Sequence, residues 1–201
     1  MFEMQVPCFS DYYTVILWDV PMHGLSRPYH PFTYQDTAEI LHSILQKENI
    51  DKTFLVGMSM GGYPSQHFAA MYPEMVKGFV ALDTTPLGFR YYSKSDLWWL
   101  KRVALMAECF TASLLKTSMA LSVSESDYSY QKMLSMLEPL TKVEIIQQMQ
   151  IAYDYFIAEN RDVDFSFPVL ILAGEKDSTG KVKAYCKEWA KQTGYPLQFI
   201  K

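Results

Sequence analysis

Residues 53–62 read TFLVGMSMGG, and this stretch decides the fold that we expect for the rest of the chain. The apolar run Thr53–Val56 predicts a buried strand, and a helical pattern resuming at Gly62 predicts a helix directly after it. Between them lies Gly-x-Ser-x-Gly, a sharp turn that strains the backbone of its central residue and exposes that side chain. We therefore expect Ser59 at the tip of the turn. Its flanking glycines are expected because a Cβ there would collide with the neighbouring strand and helix.

The position of this turn gives the Ser59 hydroxyl a possible chemical role. It stands at a helix N-terminus, where free backbone N–H groups stabilise a developing oxyanion. The pentapeptide alone is a weak signal, because Gly and Ser are common residues. Its place between a strand and a helix supplies the specific context. The alternative is a glycine-rich turn with a solvated serine.

Strands and helices alternate on both sides of the turn. Apolar runs predict further strands at Tyr13–Trp18, Val76–Leu82, Val169–Leu172 and Pro196–Ile200. The alternation predicts the α/β class, with a parallel sheet flanked by helices and right-handed crossovers. Ser59, Asp83 and Asp177 all follow predicted strand ends. Ligands of such sheets bind beyond the carboxyl ends of the strands, so we expect these three residues to mark the site.

Residues 91–160 differ from the rest of the chain, because they carry helical patterns and no strand signal. We predict an α/β core formed by residues 1–90 and 161–201, interrupted by an all-helical insertion at 91–160. The insertion is rich in Met and aromatic residues, which either shape an apolar pocket or simply pack the helices on the core. The residues concerned are Tyr91, Tyr92, Trp98, Trp99, Met106 and Phe110.

Composition excludes several classes of function. The chain has 201 residues, 49% hydrophobic and 20% charged, which is enough for a folded core. Its net charge is −4 and it has no basic run, which argues against nucleic acid as a partner. Three widely spaced cysteines indicate neither a disulfide framework nor a zinc site. Without a membrane-length apolar run or a signal-peptide pattern, we expect a cytoplasmic protein with no membrane span and no cofactor.

Four segments, in order, resemble the α/β-hydrolase family. They are the loop Asp19–Ser26 after the family's strand four, the nucleophile elbow Gly57–Gly62, the helical lid after strand six, and Gly174–Asp177 after strand seven. The resemblance implies a serine hydrolase that cleaves an ester or similar acyl bond of a small, apolar substrate without a cofactor. It extends over nearly the whole chain.

The resemblance also implies a role for each matching residue. Ser59 would attack a carbonyl, a histidine would take its proton, and an aspartate would orient that histidine. Asp177 is the expected acid and Asp83 the alternative. For each carboxylate, capping of a helix or loop is the non-catalytic alternative. Met60 would supply one N–H of the oxyanion hole.

The sequence departs from the family pattern at the base. The family order is serine, acid, histidine, yet none of the four histidines follows Asp177. His67 lies about 12 Å along the helix from Ser59, outside hydrogen-bond reach. His23 is expected to bond to loop backbone, and His30 and His42 are expected to be exposed.

The ends of the chain also depart from the family, because its strands one to three and its C-terminal histidine loop are missing. Without strand three, the strands Tyr13–Trp18 and Thr53–Val56 must pair directly, separate or expose hydrophobic edges. We therefore expect a hydrolase fragment that is inactive or impaired on its own. The alternative from another class is a non-catalytic, hydrolase-like binding protein. Within the fold, C–C bond hydrolysis, peroxidation and peptidase chemistry also remain open.

Overall fold

A computed structural model describes residues 2–28 and 32–201. The chain divides into two compact units, Met1–Pro31 and Phe32–Lys201. His30 lies outside the described residues, so its expected exposure has no counterpart here.

The first unit contains one short helix, α1 (Val6–Ser10), and a loop organised by Asp19. The Asp19 carboxylate accepts the Leu25 N–H at 2.9 Å, and the Asp19 carbonyl accepts the Ser26 hydroxyl at 2.7 Å. Gly24 has a φ of +47°, and a Cβ on it would collide with the Asp19 carboxylate. These contacts explain why a glycine stands in this loop.

The second unit contains a four-stranded, entirely parallel sheet. Its strands run side by side in chain order as β1 (Thr53–Met58), β2 (Val76–Leu82), β3 (Val169–Gly174) and β4 (Leu197–Ile200). The predicted bounds of β2 match exactly, and those of β1, β3 and β4 differ by one or two residues at one end. The predicted α/β class with a parallel sheet is confirmed.

Helices connect the strands, as expected because parallel neighbours need a crossover connection. The sheet is accompanied by α2 (Tyr34–Lys47), α3 (Gly62–Met71) and α8 (Val182–Thr193). Thr33 caps α2 by accepting the Asp36 N–H at 2.8 Å. Between β2 and β3 the chain forms α4 (Lys94–Ala107), α5 (Ala112–Ser122), α6 (Asp127–Leu137) and α7 (Lys142–Ala158).

These four consecutive helices, residues 94–158, are called the helical segment below. They have their own hydrophobic core, made of Ala107, Leu115, Leu137, Leu140, Ile145 and Ile146. The core around the sheet contains large aromatic side chains as well as aliphatic ones. Phe79 of β2, Ile171 of β3, Phe68 of α3 and Trp189 of α8 are almost fully buried there.

The Tyr13–Trp18 strand is a wrong prediction, because residues 14–20 have no regular secondary structure. An apolar, β-branched run becomes a strand only when another strand bonds to it, and within the described residues none does. Of the three outcomes expected for β1, the exposed hydrophobic edge is observed: among the described strands β1 stands at the edge of the sheet, and its Phe54 and Val56 side chains are 54% and 52% exposed.

Candidate active site

The turn after β1 has the strained geometry that the sequence predicts. Ser59 has a φ of +50° and begins a 3-10 turn, Ser59–Gly61, that leads directly into α3. A non-glycine residue in this conformation costs of order 1–3 kcal/mol, so the surrounding structure must hold it. Ser59 is exposed, and Met60 after it is half-buried in the first turn, where backbone N–H groups lack helical partners.

Two close contacts hold this turn, and they involve Gly57 and Gly62. A Cβ on Gly57 would lie 2.7 Å from the Gly61 carbonyl oxygen, and a Cβ on Gly62 would collide with the Thr84 side chain. Gly61 meets nothing within 4 Å. The expectation of a collision is therefore confirmed for Gly57 and wrong for Gly61. The second packed glycine is the one just outside the pentapeptide, where α3 crosses the end of β2.

Asp83 stands at the end of β2 and is tied to β3. Its φ is +43°, its N–H donates to the Leu172 carbonyl at 2.9 Å, and its Oδ1 accepts the Gly174 N–H at 2.8 Å. Burial raises the pKa of the Asp83 carboxyl; the Gly174 hydrogen bond lowers it, and the nearby charge of Asp177 raises it. Asp83 is thus a constrained, half-buried carboxyl group.

Asp177 lies on the turn after β3, close to Asp83. Its N–H donates to the Gly174 carbonyl at 3.2 Å, and its Oδ1 accepts the Thr179 N–H at 2.7 Å. A Cβ on Gly174 would be 3.5 Å from the Asp177 Cβ and 3.8 Å from Asp83 Oδ2. Asp177 therefore caps the turn at Thr179 and not a helix, because α8 begins only at Val182. The structure places Ser59, Asp83 and Asp177 at the carboxyl ends of three adjacent strands.

Cys186 and Thr84 belong to this region, although the sequence did not single them out. The Cys186 thiol is fully buried and donates to the Thr84 carbonyl at 3.3 Å. Burial, with smaller contributions from the charges of Asp83 and Asp177, raises its pKa to about 12. The spacing along α8 could have predicted the burial of Cys186, because Cys186 and the buried Trp189 lie three residues apart and so share one face of the helix.

The histidines occupy varied environments. His67 on α3 is 2% exposed, stacks on Tyr34 at 5.4 Å and has no hydrogen-bond partner for Nε2 among the described residues. Burial, and the charge of Arg161, lower its pKa to about 4. His42 was expected to be exposed, but it is half-buried because its ring stacks on Tyr72 at 4.2 Å.

In the first unit, His23 follows its expected backbone bonding. Its Nδ1 lies 3.0 Å from the Pro21 carbonyl oxygen, and burial lowers its pKa.

The loop that carries Asp177 is contacted by the helical segment at three points. Lys181 Nζ lies 2.6 Å from Asp96 Oδ1, and Lys176 Nζ lies 3.4 Å from Glu125 Oε2. The Thr179 hydroxyl also donates to the Ser122 carbonyl at 3.4 Å. Hydrogen bonds from Lys181 and Ser93 hold the pKa of Asp96 well below its usual range. Two ion pairs and one hydrogen bond therefore connect the Asp177 loop to the helical segment.

The Met and aromatic residues of the insertion divide into two groups. Tyr91 and Tyr92 are buried, whereas Trp98, Trp99, Met106 and Phe110 are 38–54% exposed. A cavity of about 300 Å³ lies elsewhere, between the end of α3 and residues 161–167, and it includes none of the predicted site residues.

Two further properties concern the described residues as a whole. In residues 2–28 and 32–201, no three His, Cys, Asp or Glu side chains are arranged to hold a metal ion. None of the helices in those ranges combines the length and apolar character needed to cross a membrane.

Comparison with known proteins gives a consistent picture. A family model described as the alpha/beta hydrolase fold matches residues 1–198. A serine hydrolase-like protein of Danio rerio is 30% identical over 138 residues, which is 65% of this chain and 39% of that protein.

Solved structures show the same fold. MenH from S. aureus superposes with a TM-score of 0.77 at 18% identity, covering 99% of this chain and 79% of that one. A thermophilic esterase from Thermogutta terrifontis superposes with a TM-score of 0.71 at 21% identity, covering 99% and 74% respectively. The chain spans only 30–39% of the length of the first curated relatives it matches.

Proposed function

Because the chain belongs to the α/β-hydrolase family, whose model matches residues 1–198, we propose that Ser59 is the nucleophile of an ester-hydrolysing site. The observation that carries the proposal is the φ of +50° at an exposed serine between β1 and α3. Strain of this kind persists where the structure over-determines it, and it positions a hydroxyl above the sheet. The Met60 N–H is the proposed oxyanion donor.

Asp177 is the proposed acid, and Asp83 is assigned to positioning. The Asp83 carboxyl is fixed by the Gly174 N–H, and burial raises its pKa, which disfavours the ionised form that would orient a histidine. Asp177 lies on a turn at the rim of the sheet and keeps one carboxylate oxygen without a hydrogen-bond partner within the described residues.

The general base is the incomplete part of the proposed triad. In the second unit, His67 is buried on α3 about 12 Å along the helix from Ser59, and His42 stacks on Tyr72, beyond the far end of that helix. We propose that these 201 residues alone hydrolyse esters poorly. The substrate proposed for the complete site is a small apolar ester, with residues 91–160 acting as its lid.

Chemical rescue tests this assignment. The chain is incubated with p-nitrophenyl acetate, with and without imidazole as a diffusible base, and acylation is mapped by mass spectrometry. We expect imidazole to raise a slow hydrolysis rate and to leave acetyl groups on the Ser59 peptide. After the direct reaction of imidazole with the ester, measured without protein, is subtracted, Ser59→Ala should abolish both signals, whereas Ser65→Ala, a nearby control, should retain them. Equal rescue in Ser59→Ala would refute the nucleophile.

The same assay separates the two carboxylates. Asp177→Asn should reduce the rescued rate about tenfold, because an orienting carboxylate stabilises the imidazolium that forms. Asp83→Asn, which keeps the oxygen that accepts the Gly174 N–H, should change it less than about twofold. The reverse order would exchange their roles.

The position of the histidines also favours a second candidate, a hydrolase-like binding protein without catalysis. For that candidate, imidazole would rescue nothing and Ser59→Ala would be silent in every assay. Rapid, Ser59-dependent hydrolysis without imidazole would instead refute both the proposed impairment and the binding-protein alternative.

A further inference from the structure

The outer face of α4 is unusually apolar for a solvent-exposed surface. Trp98, Trp99, Leu105 and Met106 are 49%, 54%, 69% and 49% exposed. At 3.6 residues per turn they lie on one side of the helix, opposite the buried Ala104 and Ala107. The buried side packs against α7, which leaves these four large side chains outside the core of the helical segment.

Basic side chains share this face. Lys94, Lys101 and Arg102 lie within about 60° of Trp98 around the axis of α4, and Trp99 lies at the other border of the same exposed surface. The one carboxylate within the helix, Asp96, lies about 160° around the axis from Trp98 and is paired with Lys181 at 2.6 Å. The exposed face of α4 is therefore both apolar and positively charged.

The charges on this face are available to an external partner. Within residues 2–28 and 32–201, none of Lys94, Lys101 and Arg102 forms an ion pair with a carboxylate; Glu108, just past the helix, lies 3.8 Å from Lys142. The Arg102 guanidinium lies 3.8 Å from the centroid of the Trp98 ring, and its Nη1 donates to the Trp98 carbonyl at 3.0 Å. This contact places a fixed positive charge directly beside an exposed indole.

We propose that this face of α4 (Lys94, Trp98, Trp99, Lys101, Arg102, Leu105 and Met106) docks on an anionic lipid surface. A helix with aromatic and aliphatic side chains beside Lys and Arg lies in the plane of the headgroups, with its apolar side chains at the acyl boundary. Indole rings favour that boundary, because they are apolar with one polar N–H, and the basic groups bind lipid phosphates. The 14-residue helix is about 21 Å long, enough to contact several lipids.

A second copy of the chain fits this face less well. A two-fold interface would bring the Lys94, Lys101 and Arg102 side chains of both copies into one shared patch, where their like charges repel one another. The cores of protein interfaces are also depleted of Lys, whereas here basic and apolar groups alternate over one surface. The proposal is independent of the role of Ser59.

Vesicle sedimentation tests the proposal on the full chain. Vesicles of phosphatidylcholine with about one-third phosphatidylserine are compared with pure phosphatidylcholine, at low and high salt. We expect binding to the anionic vesicles only, weakened by salt, with a blue shift of Trp emission. Replacing Lys94, Lys101 and Arg102 by Gln should weaken binding roughly 100-fold, at about fivefold per charge. The pair Trp98→Ser and Trp99→Ser should weaken it by at least about tenfold.

A matched control variant loses the same number of positive charges, but from parts of the surface outside α4. Replacing the exposed Lys47, Lys52 and Lys191 by Gln removes three positive charges away from α4, and binding should fall less than about threefold. Equal losses in the two triple variants, equal binding to both vesicles, or no binding would overturn the proposal. Dimerisation that Trp98→Ser abolishes would overturn it in favour of a second copy.

Discussion

The sheet edge that carries Ser59 and the helical segment are stabilised in different ways. At the sheet edge, the Gly61 and Gly62 backbone leaves no room for a Cβ on Gly57, and the Thr84 side chain leaves none on Gly62. Ser59 and Asp83 there adopt positive φ. The helical segment is built from capped helices around a small aliphatic core and leaves four large apolar side chains of α4 exposed. The stability of the sheet edge should therefore be sensitive to the addition of a single methyl group. The stability of the helical segment should depend on the total apolar area that its core buries.

The largest difference should come from two glycines of the same turn. Gly57→Ala places a methyl group 2.7 Å from the Gly61 carbonyl oxygen, and we expect it to lower the free energy of unfolding by about 3 kcal/mol. Gly61→Ala, whose Cβ meets nothing within 4 Å, should be neutral or stabilising by a few tenths of a kcal/mol. Urea titration measures both. Similar losses would mean that the turn is not held by backbone contact.

A second test uses the pH dependence that His67 gives to the sheet region. Its pKa is about 4 when folded and about 6.5 when unfolded, so between these values the unfolded chain binds a proton that the folded chain does not. Stability should therefore fall as pH decreases, by about 2 kcal/mol between pH 7 and 5 for this residue. In His67→Leu that part of the slope should disappear. An unchanged slope would show that His67 is accessible to protons in the folded state.

A smaller effect is expected at the caps of the helical segment. Thr141 Oγ1 accepts the Glu144 N–H at 3.2 Å, and Glu144 Oε2 accepts the Thr141 N–H at 2.7 Å. Thr141→Ala should cost about 1 kcal/mol and speed amide exchange in the first turn of α7. Thr141→Ser keeps the hydroxyl and serves as the control. If the amide protection of this turn were identical in the two variants, the Thr141 hydroxyl would not be stabilising the helix.

The smallest effect should come from the more exposed of the two ion pairs that join the Asp177 loop to the helical segment, Lys176 with Glu125. The side chains of Lys176 and Glu125 are 75% and 54% exposed, so solvent screens their interaction. A double-mutant cycle with Lys176→Ala and Glu125→Ala should give a coupling free energy below about 0.5 kcal/mol. A coupling above about 1 kcal/mol would show that this pair anchors the Asp177 loop.

Local signals in the sequence predicted most of the fold. The bounds of β2 were predicted correctly, because an apolar run depends only on neighbours along the chain. The strained turn at Ser59 followed from its glycines. These features need no knowledge of distant contacts.

Features that depend on distant contacts were missed. Tyr13–Trp18 has the composition of a strand, but composition does not say whether a pairing strand exists. Gly61 and Gly62 look equivalent in sequence, and only the approach of Thr84 distinguishes them. The exposure of Trp98 and Trp99 could not be predicted either. Large hydrophobic residues are usually interior, and only distant contacts decide which of them stay exposed.

The buried thiol of Cys186 is a built-in probe of unfolding. Cys8 and Cys109 are exposed and should react with an alkylating reagent at once, which sets the fast end of a time course. With a pKa of about 12 and no access to solvent, Cys186 can be alkylated only when the strand ends that surround it separate. At moderate reagent concentration, the slow labelling of this single sulfur therefore reports the equilibrium population of the opened molecule. The integrity of the region around Ser59 can thus be followed by mass alone, without a substrate.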